Sequence, residues 1–559
     1  MNASATVRGA ASQAIALKKG CESFRRRAWS SAFQQLAAAD RAAPLAPDHL
    51  ILLAQSALLI GKEAEGADAL GRAHKAFLAR GELQRAALSA FWLGFTLLIA
   101  GEAARAGGWL SRAGRLLEGQ PDCVEKGYLL LPAGYRAAHG TDAVAAHGIF
   151  VQAAAIGERF GDKDLMTLGL QGQGRALIRQ GEVARGMALL DEAMVAVTAG
   201  EVSPLNTGAI FCSVLEACSE TFDVQRAQEW TSALELWCES QPDLVPYRGH
   251  CLVRRAELLQ LRGSWPDALE WAQRASEWLS RPSPKPTPPM IAEAFYQIGE
   301  IHRLRGRFAD AEKAYSQASR WSQTPAPGLA QLRLAQGRIA AANAMIRRVA
   351  GQVRELGSRA KTLDIYVEIV LAAGDVAAAR AAADELAAIA ERQDVPFLRA
   401  LAARASGAVL LAEGNAHAAL AELRRSWSNW SELQAPYEAA RVRLMMAAAS
   451  RALGDEDNAR QELAAARETF ERLGAVVELS RADILLPTER RKGAGPLTVR
   501  EIEVLRLVAS GMTNRKIGGK LNISEKTVAR HLSNIFTKLN LDSRAAATAY
   551  AYEHDLVRA

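Results

Sequence analysis

Between Lys526 and Lys538 the sequence KTVARHLSNIFTK places cationic and hydrogen-bonding side chains at helical spacing. Lys526, Arg530, Ser533 and Thr537 recur at steps of three and four, so an α-helix gathers them on one stripe, with Thr527, Ala529 and Asn534 beside it. Val528, Leu532, Ile535 and Leu539 form a second stripe, apolar and suited to a core. The chemistry of the polar stripe is recognition. Arg530 offers a planar fork of donors that fits guanine O6 and N7. Lys526, at the start of the helix, combines an ammonium with free backbone amides and so suits a phosphate.

That stripe needs elements to position it, and the local sequence supplies them. In LTVREIEVLRLVASG (497–511), Thr498 with Glu501 reads as a capping box, Leu497 with Ile502 as a hydrophobic staple, and Gly511 as a left-handed stop. A second helix is predicted from Thr513 through TNRKIGGKLN, stapled by Met512 and Ile517. A third starts at Ser524, stapled by Ile523 and Val528, after a tight turn at 521–523. A short helix, a tight turn and a helix with a basic face describe a helix-turn-helix, here at about 513–532. Its last helix is sized for the major groove of double-stranded DNA.

Charge points the same way. The 559-residue chain carries a formal +7, and residues 488–559, with thirteen basic and seven acidic side chains, hold +6 of it. A small polyanion-binding module on a neutral body accounts for this, and so does a merely solvated basic surface. No GxxxxGK[ST] phosphate loop and no HExxH occurs, and the nine histidines are scattered, so no enzyme, metal or cofactor is expected. The six cysteines follow no ligand spacing and read as buried thiols in a reducing cytosol. Apolar runs such as 51–60 and 90–100 fall short of the roughly 20 residues a bilayer requires, so a cytoplasmic protein with no membrane partner is expected.

The rest of the chain is alanine-rich and reads as helical. In residues 292–325, Phe295, Ile298, Gly299 and His302 pattern a first helix, Gly306 a turn, and Phe308, Ala311, Tyr315 and Ala318 a second. The small residues let the helices approach and Tyr315 fills the gap between neighbouring pairs. The spacing returns around Gly94 and Gly101, Gly174 and Gly181, Gly263, Gly414 and Gly454. About a dozen stacked pairs are expected over residues 1–485, forming a superhelix, against the alternative of a non-repeating bundle. RPSPKPTPPM (281–290) is expected to be a non-helical connector dividing the repeats into two arms, and 486–496 a linker to a domain at 497–559.

The segment 292–325 resembles a tetratricopeptide repeat, with Pro325 two places later than usual. Residues 497–551 resemble the LuxR-type DNA-binding domain through LTVREIEVLRLVASG, Thr513-Asn514, Ile523-Ser524, KTVARHLSNIFTKL and Arg544. The stretches AFWLGF (90–95), GGWL (107–110) and LVPYRGHCLVRRAELLQLRG (244–263) are similar to large actinobacterial-type regulators that join helical repeats to that domain. The resemblance implies an all-α fold, a tetratricopeptide-like solenoid followed by a four-helix domain. It implies that Ala529, Arg530 and Ser533 face base edges, and that Thr513, Asn514, Lys526, Thr527, Asn534, Lys538 and Arg544 contact phosphate or support docking. His531 reads as a packed or capping side chain.

Departures from the pattern are Gly518 and Gly519 in place of alanine, Asn522 and Asn540 in place of turn glycines, and Lys516 where an acidic or neutral residue is common. The last helix, with Ala545, Ala549 and Tyr552 on one stripe, either pairs two domains into a homodimer or only closes its own bundle. The function expected is a sequence-specific transcription regulator acting on promoter DNA, with contact to RNA polymerase, whose repeats sense a protein, peptide or small-molecule effector. The alternative is a tetratricopeptide scaffold or adaptor for protein assembly with incidental DNA affinity.

Overall fold

The structure is a computed structural model and describes residues 2–559 except 141, 242, 246, 281–287, 322–326, 354–355, 486–496, 498, 522, 554–555 and 557–559. Among the described residues all regular structure is helical, as the composition implied. The chain divides into two compact units, Met1–Glu478 and Leu479–Ala559. The first therefore ends a few residues before the expected 485, inside the helix Val476–Leu485.

Unit one is a succession of antiparallel helix pairs such as Glu63–Ala79 after Pro47–Leu59, or Ala416–Glu432 after Pro396–Ala412. The turn glycines read from sequence, Gly306 and Gly414 among them, adopt φ of 71° and 83°, a conformation that admits glycine without a Cβ penalty. The close approach within pairs is equally literal. A Cβ on Gly299 would stand 2.7 Å from the Tyr315 ring, and one on Gly174 would stand 2.7 Å from the Gly186 carbonyl oxygen. Trp29, Trp265, Trp430, Phe77 and Phe150 are among the largest fully buried side chains.

The first helices of consecutive pairs touch one another, which places them side by side along the stack. They also carry a ladder of ion pairs. Arg175 meets Glu220 at 2.8 Å, Arg254 meets Glu257 at 2.8 Å and Glu293 at 2.9 Å, and Arg303 meets Glu300 at 2.6 Å. Farther along, Arg441 meets Glu368 at 2.8 Å, and Arg404 sits between Asp364 and Glu438. Arg404 is only 7% exposed. Burial pushes the Asp364 carboxyl up, against the pull of Arg404. Burial acts on Glu438 too, but Arg404 and Arg441 together hold its carboxyl below the usual range.

The unit is also closed along its winding. Trp29 Nε1 donates to Gln241 Oε1 (3.1 Å), and the Val245 amide donates to the Leu59 carbonyl (2.9 Å). Phe222, in a left-handed conformation at φ 57°, stacks on Phe397 with centroids 5.0 Å apart. Trp265 packs edge-on to Tyr437, and a Cβ on Gly306 would lie 3.4 Å from Val476. Each contact joins residues between 170 and 212 positions apart.

The proline-rich connector differs from expectation. Residues 281–287 lie outside the described residues, but Pro288, Pro289 and Met290 open the helix Pro288–Leu304. Proline is tolerated there because first-turn amides have no intrahelical acceptor. Helices Trp265–Leu279 and Pro288–Leu304 pack directly on each other, so the stacking of pairs continues across the connector.

The cysteines are all free, with Cys123, Cys218, Cys238 and Cys251 buried. Burial pushes the Cys218 thiol up to about 12, far from a reactive thiolate.

Candidate nucleic-acid interface

Among its described residues unit two holds, after the end of Val476–Leu485, the four helices Val499–Ala509, Asn514–Leu521, Glu525–Leu539 and Arg544–Glu553. One core joins them: Leu497, Val504, Leu505, Val508, Ile517, Val528, Leu532, Ile535, Ala547 and Ala551 are buried together. The apolar stripe of the third helix is thus where the spacing put it, with Leu539 packed at its edge. Ser524 caps this helix, its hydroxyl oxygen accepting the Thr527 amide at 3.1 Å, and the Ser524 and Thr527 hydroxyls meet at 2.7 Å. At the far end Asn540 takes φ 52°, the left-handed cap that asparagine tolerates. Thr498 and Asn522 lie outside the described residues, so the capping box and the turn asparagine are not placed.

The polar stripe is turned outward. Lys526, Ala529, Arg530, Ser533, Asn534 and Thr537 are all exposed, while Thr527 and His531 are half-buried. Arg530 and Lys526 make no ion pair among the described residues, so both charges are available to a ligand. Thr513 is exposed at the start of the second helix, where its hydroxyl faces the Lys516 amide at 3.4 Å.

Three of the residues expected to contact phosphate or support docking are bonded within the unit. Arg544 donates to Asn514 Oδ1 at 2.8 Å and to the Met512 carbonyl, tying the fourth helix to the second. Lys538 donates to Glu501 at 2.8 Å, and Glu501 is 3% exposed at the side chain. Asn514 and Arg544 thus join the fourth helix to the second, and Lys538 joins the third to the first. Two further braces of this kind carry no signal in the local pattern: Arg500 donates to the Leu521 carbonyl (2.6 Å) and Arg506 to the Leu556 carbonyl (2.7 Å).

The two glycines of the second helix are not equivalent. A Cβ on Gly518 would meet the Ile523 carbonyl oxygen at 2.7 Å, whereas one on Gly519 meets nothing within 4 Å. Gly518→Ala is therefore expected to destabilise unit two by about 1–3 kcal/mol through overpacking against backbone. Gly519→Ala should stabilise it by about 1 kcal/mol through helix propensity. Thermal unfolding of the two variants checks this, and shifts of the same sign would contradict the packing assigned to Gly518.

On the fourth helix Ala547 and Ala551 face the core, while Ala545, Ala549 and Tyr552 are exposed, Tyr552 at 60%. The helix closes its own bundle and still presents the stripe read from sequence. Among the described residues no helix is long and apolar enough to cross a membrane, and no group of three or more His, Cys, Asp or Glu is placed to hold a metal ion.

Residues 495–551 match the family described as "Bacterial regulatory proteins, luxR family", and residues 250–321 match the tetratricopeptide repeat family. The second match covers Gly263, Gly299 and Gly306, where the repeat was read. The C-terminal unit is a LuxR-type helix-turn-helix domain, and the body carries tetratricopeptide repeats. The transcriptional regulatory protein LiaR of Bacillus subtilis is 48% identical over 61 residues, which are 11% of this chain and 29% of that protein. The response regulator protein VraR of Staphylococcus aureus is 44% identical over 62 residues, 11% of this chain and 30% of its own length. The chain thus spans less than a third of these relatives. A solved structure of the APC/C hetero-tetramer Cut9-Hcn1 aligns at 11% identity and a TM-score of 0.37, covering 83% of this chain and 95% of that one.

Proposed function

We propose that the protein is a sequence-specific DNA-binding transcription regulator that docks the helix Glu525–Leu539 in the major groove of promoter DNA. The observation that carries this reading is the exposed Arg530, which makes no ion pair among the described residues, beside exposed Ala529, Ser533 and Asn534, on a helix whose opposite face is locked in a core. Arg530 reads a guanine edge, Ala529 and Ser533 contact neighbouring bases, and Lys526, Thr527, Asn534 and Thr513 set the register on phosphate. The exposed Ala545, Ala549 and Tyr552 pair two copies on two half-sites. The repeat body senses a protein, peptide or small effector, and the regulator works in the cytoplasm through RNA polymerase.

The test is selection of bound sequences from random duplex DNA with the full chain. Enrichment of an inverted repeat is expected. Arg530→Ala should lose about 1–3 kcal/mol of discrimination at one base pair of each half-site, roughly 5- to 150-fold. A wild-type chain that enriches no sequence would sink the regulator reading and leave an assembly scaffold.

A further inference from the structure

Two independent sets of contacts in the body end on one short helix, Val476–Leu485. The first set runs between coils of the winding. Leu473, just before the helix, lies against the turn at Gly263, where a Cβ would stand 2.5 Å from its Cδ2. Val476 and Val477, in the first turn of the helix, lie 3.4 and 3.9 Å from where a Cβ on Gly306 would stand. The second set is the ladder of ion pairs. Arg441 meets Glu368 at 2.8 Å and Glu438 at 3.1 Å, and the charge of Glu478 acts on it and on Tyr437. Glu478 is only 6% exposed. Tyr437 in turn packs on Trp265 from the neighbouring coil.

That helix is the chain's exit from the body, for the boundary between the two units falls inside it, after Glu478. At 10 residues it is shorter than the roughly 12–15 that sustain a helix alone in water, so its docked first turn keeps it folded. Its far end is open, with Ile484 79% exposed. Undocking would therefore melt the helix and add its residues to the chain that leads to Val499–Ala509. While docked, the helix fixes where that chain starts on the body. When two copies pair on half-sites of set spacing, a fixed start removes arrangements that a free one allows.

We infer that the first turn of Val476–Leu485, held by the Gly306 turn and by Glu478 at Arg441, is a latch that restrains the DNA-binding unit until a shift between coils of the winding releases it. The inference rests on the regulator reading above and deepens it by giving the body a route to the DNA. An effector that changes the spacing of the coils parts Val476 from Gly306, and one that moves the ladder moves Glu478.

Hydrogen exchange of the full chain reads the latch without DNA. In Glu478→Gln and in Val477→Asp the amides of residues 479–485 should exchange about 10- to 150-fold faster, the loss of one charged hydrogen bond expressed as opening. Those of the helix Pro396–Ala412 should keep their wild-type protection, which shows the body still folded. Ile484→Gln, at the open end of the same helix, should behave as wild type. Both latch variants should then bind the selected duplex about tenfold more tightly, with the preferred sequence unchanged. If neither variant speeds exchange, or if the whole body loses protection with the helix, there is no separate latch. If the helix opens and duplex affinity stays the same or falls, the restraint is overturned while the regulator reading stands. If the wild type selects no duplex, both readings fall.

Discussion

Replacing Arg404 by alanine is expected to lower the unfolding free energy of the repeat body by about 3–5 kcal/mol, because it leaves Asp364 and Glu438 without the buried cation between them. The two carboxylates come from neighbouring pairs, 40 and 34 residues from Arg404, so the loss falls on the stacking of three pairs together. Burial already pushes the Asp364 carboxyl up with the arginine present. Without it, both acids should take up protons at higher pH, so the variant regains part of its stability as pH falls through their range. Urea unfolding of the variant across pH measures both effects. A loss below about 1 kcal/mol would mean that the pairs are as weak as surface ion pairs.

The second large effect is expected at Lys538. Lys538→Met removes the ammonium from the buried Glu501 carboxylate and should cost unit two about 2–3 kcal/mol, discounted because the lysine itself is 36% exposed. The double variant Glu501→Gln, Lys538→Met should recover more than half of that loss, since the buried charge is gone as well. The salt slope of DNA binding should stay at its wild-type value. The resemblance implies that Lys538 contacts phosphate or supports docking, and a phosphate contact predicts the reverse: a slope flatter by about 0.9 with little change in stability. One pair of variants, measured by thermal unfolding and by a salt titration, separates bracing from contact.

These residues mark where sequence reading stops. The two faces of the third helix were legible because capping and helical periodicity are local: Ser524 caps, Val528 and Leu532 point inward, Arg530 and Ser533 outward. The repeat pairs were legible for the same reason, Gly299, Gly306 and Tyr315 falling within one pair. The partners of Lys538 and Arg544 lie 37 and 30 residues away, and no periodicity reports which helix faces which across a bundle. A residue type that suits phosphate suits a buried carboxylate equally well, so composition alone could not sort the braces from the free cations. The helix at Pro288 was misread for a related reason. Proline's effect depends on whether it sits in the first turn or the interior, and the boundary itself was the unknown.

The turn-to-turn contacts of the body have a consequence for how such a chain can vary. In an array whose units touch only their neighbours, a unit added or lost changes the length and little else. Here Trp29 answers to Gln241, Phe222 to Phe397, and Trp265 to Tyr437, across intervals that hold a set number of pairs. Inserting one pair inside such an interval would shift every later partner by a unit, setting a stacked phenylalanine opposite a turn. The number of repeats is therefore fixed as gear teeth are fixed by the wheel they mesh with, and the body can drift in sequence far more readily than in count.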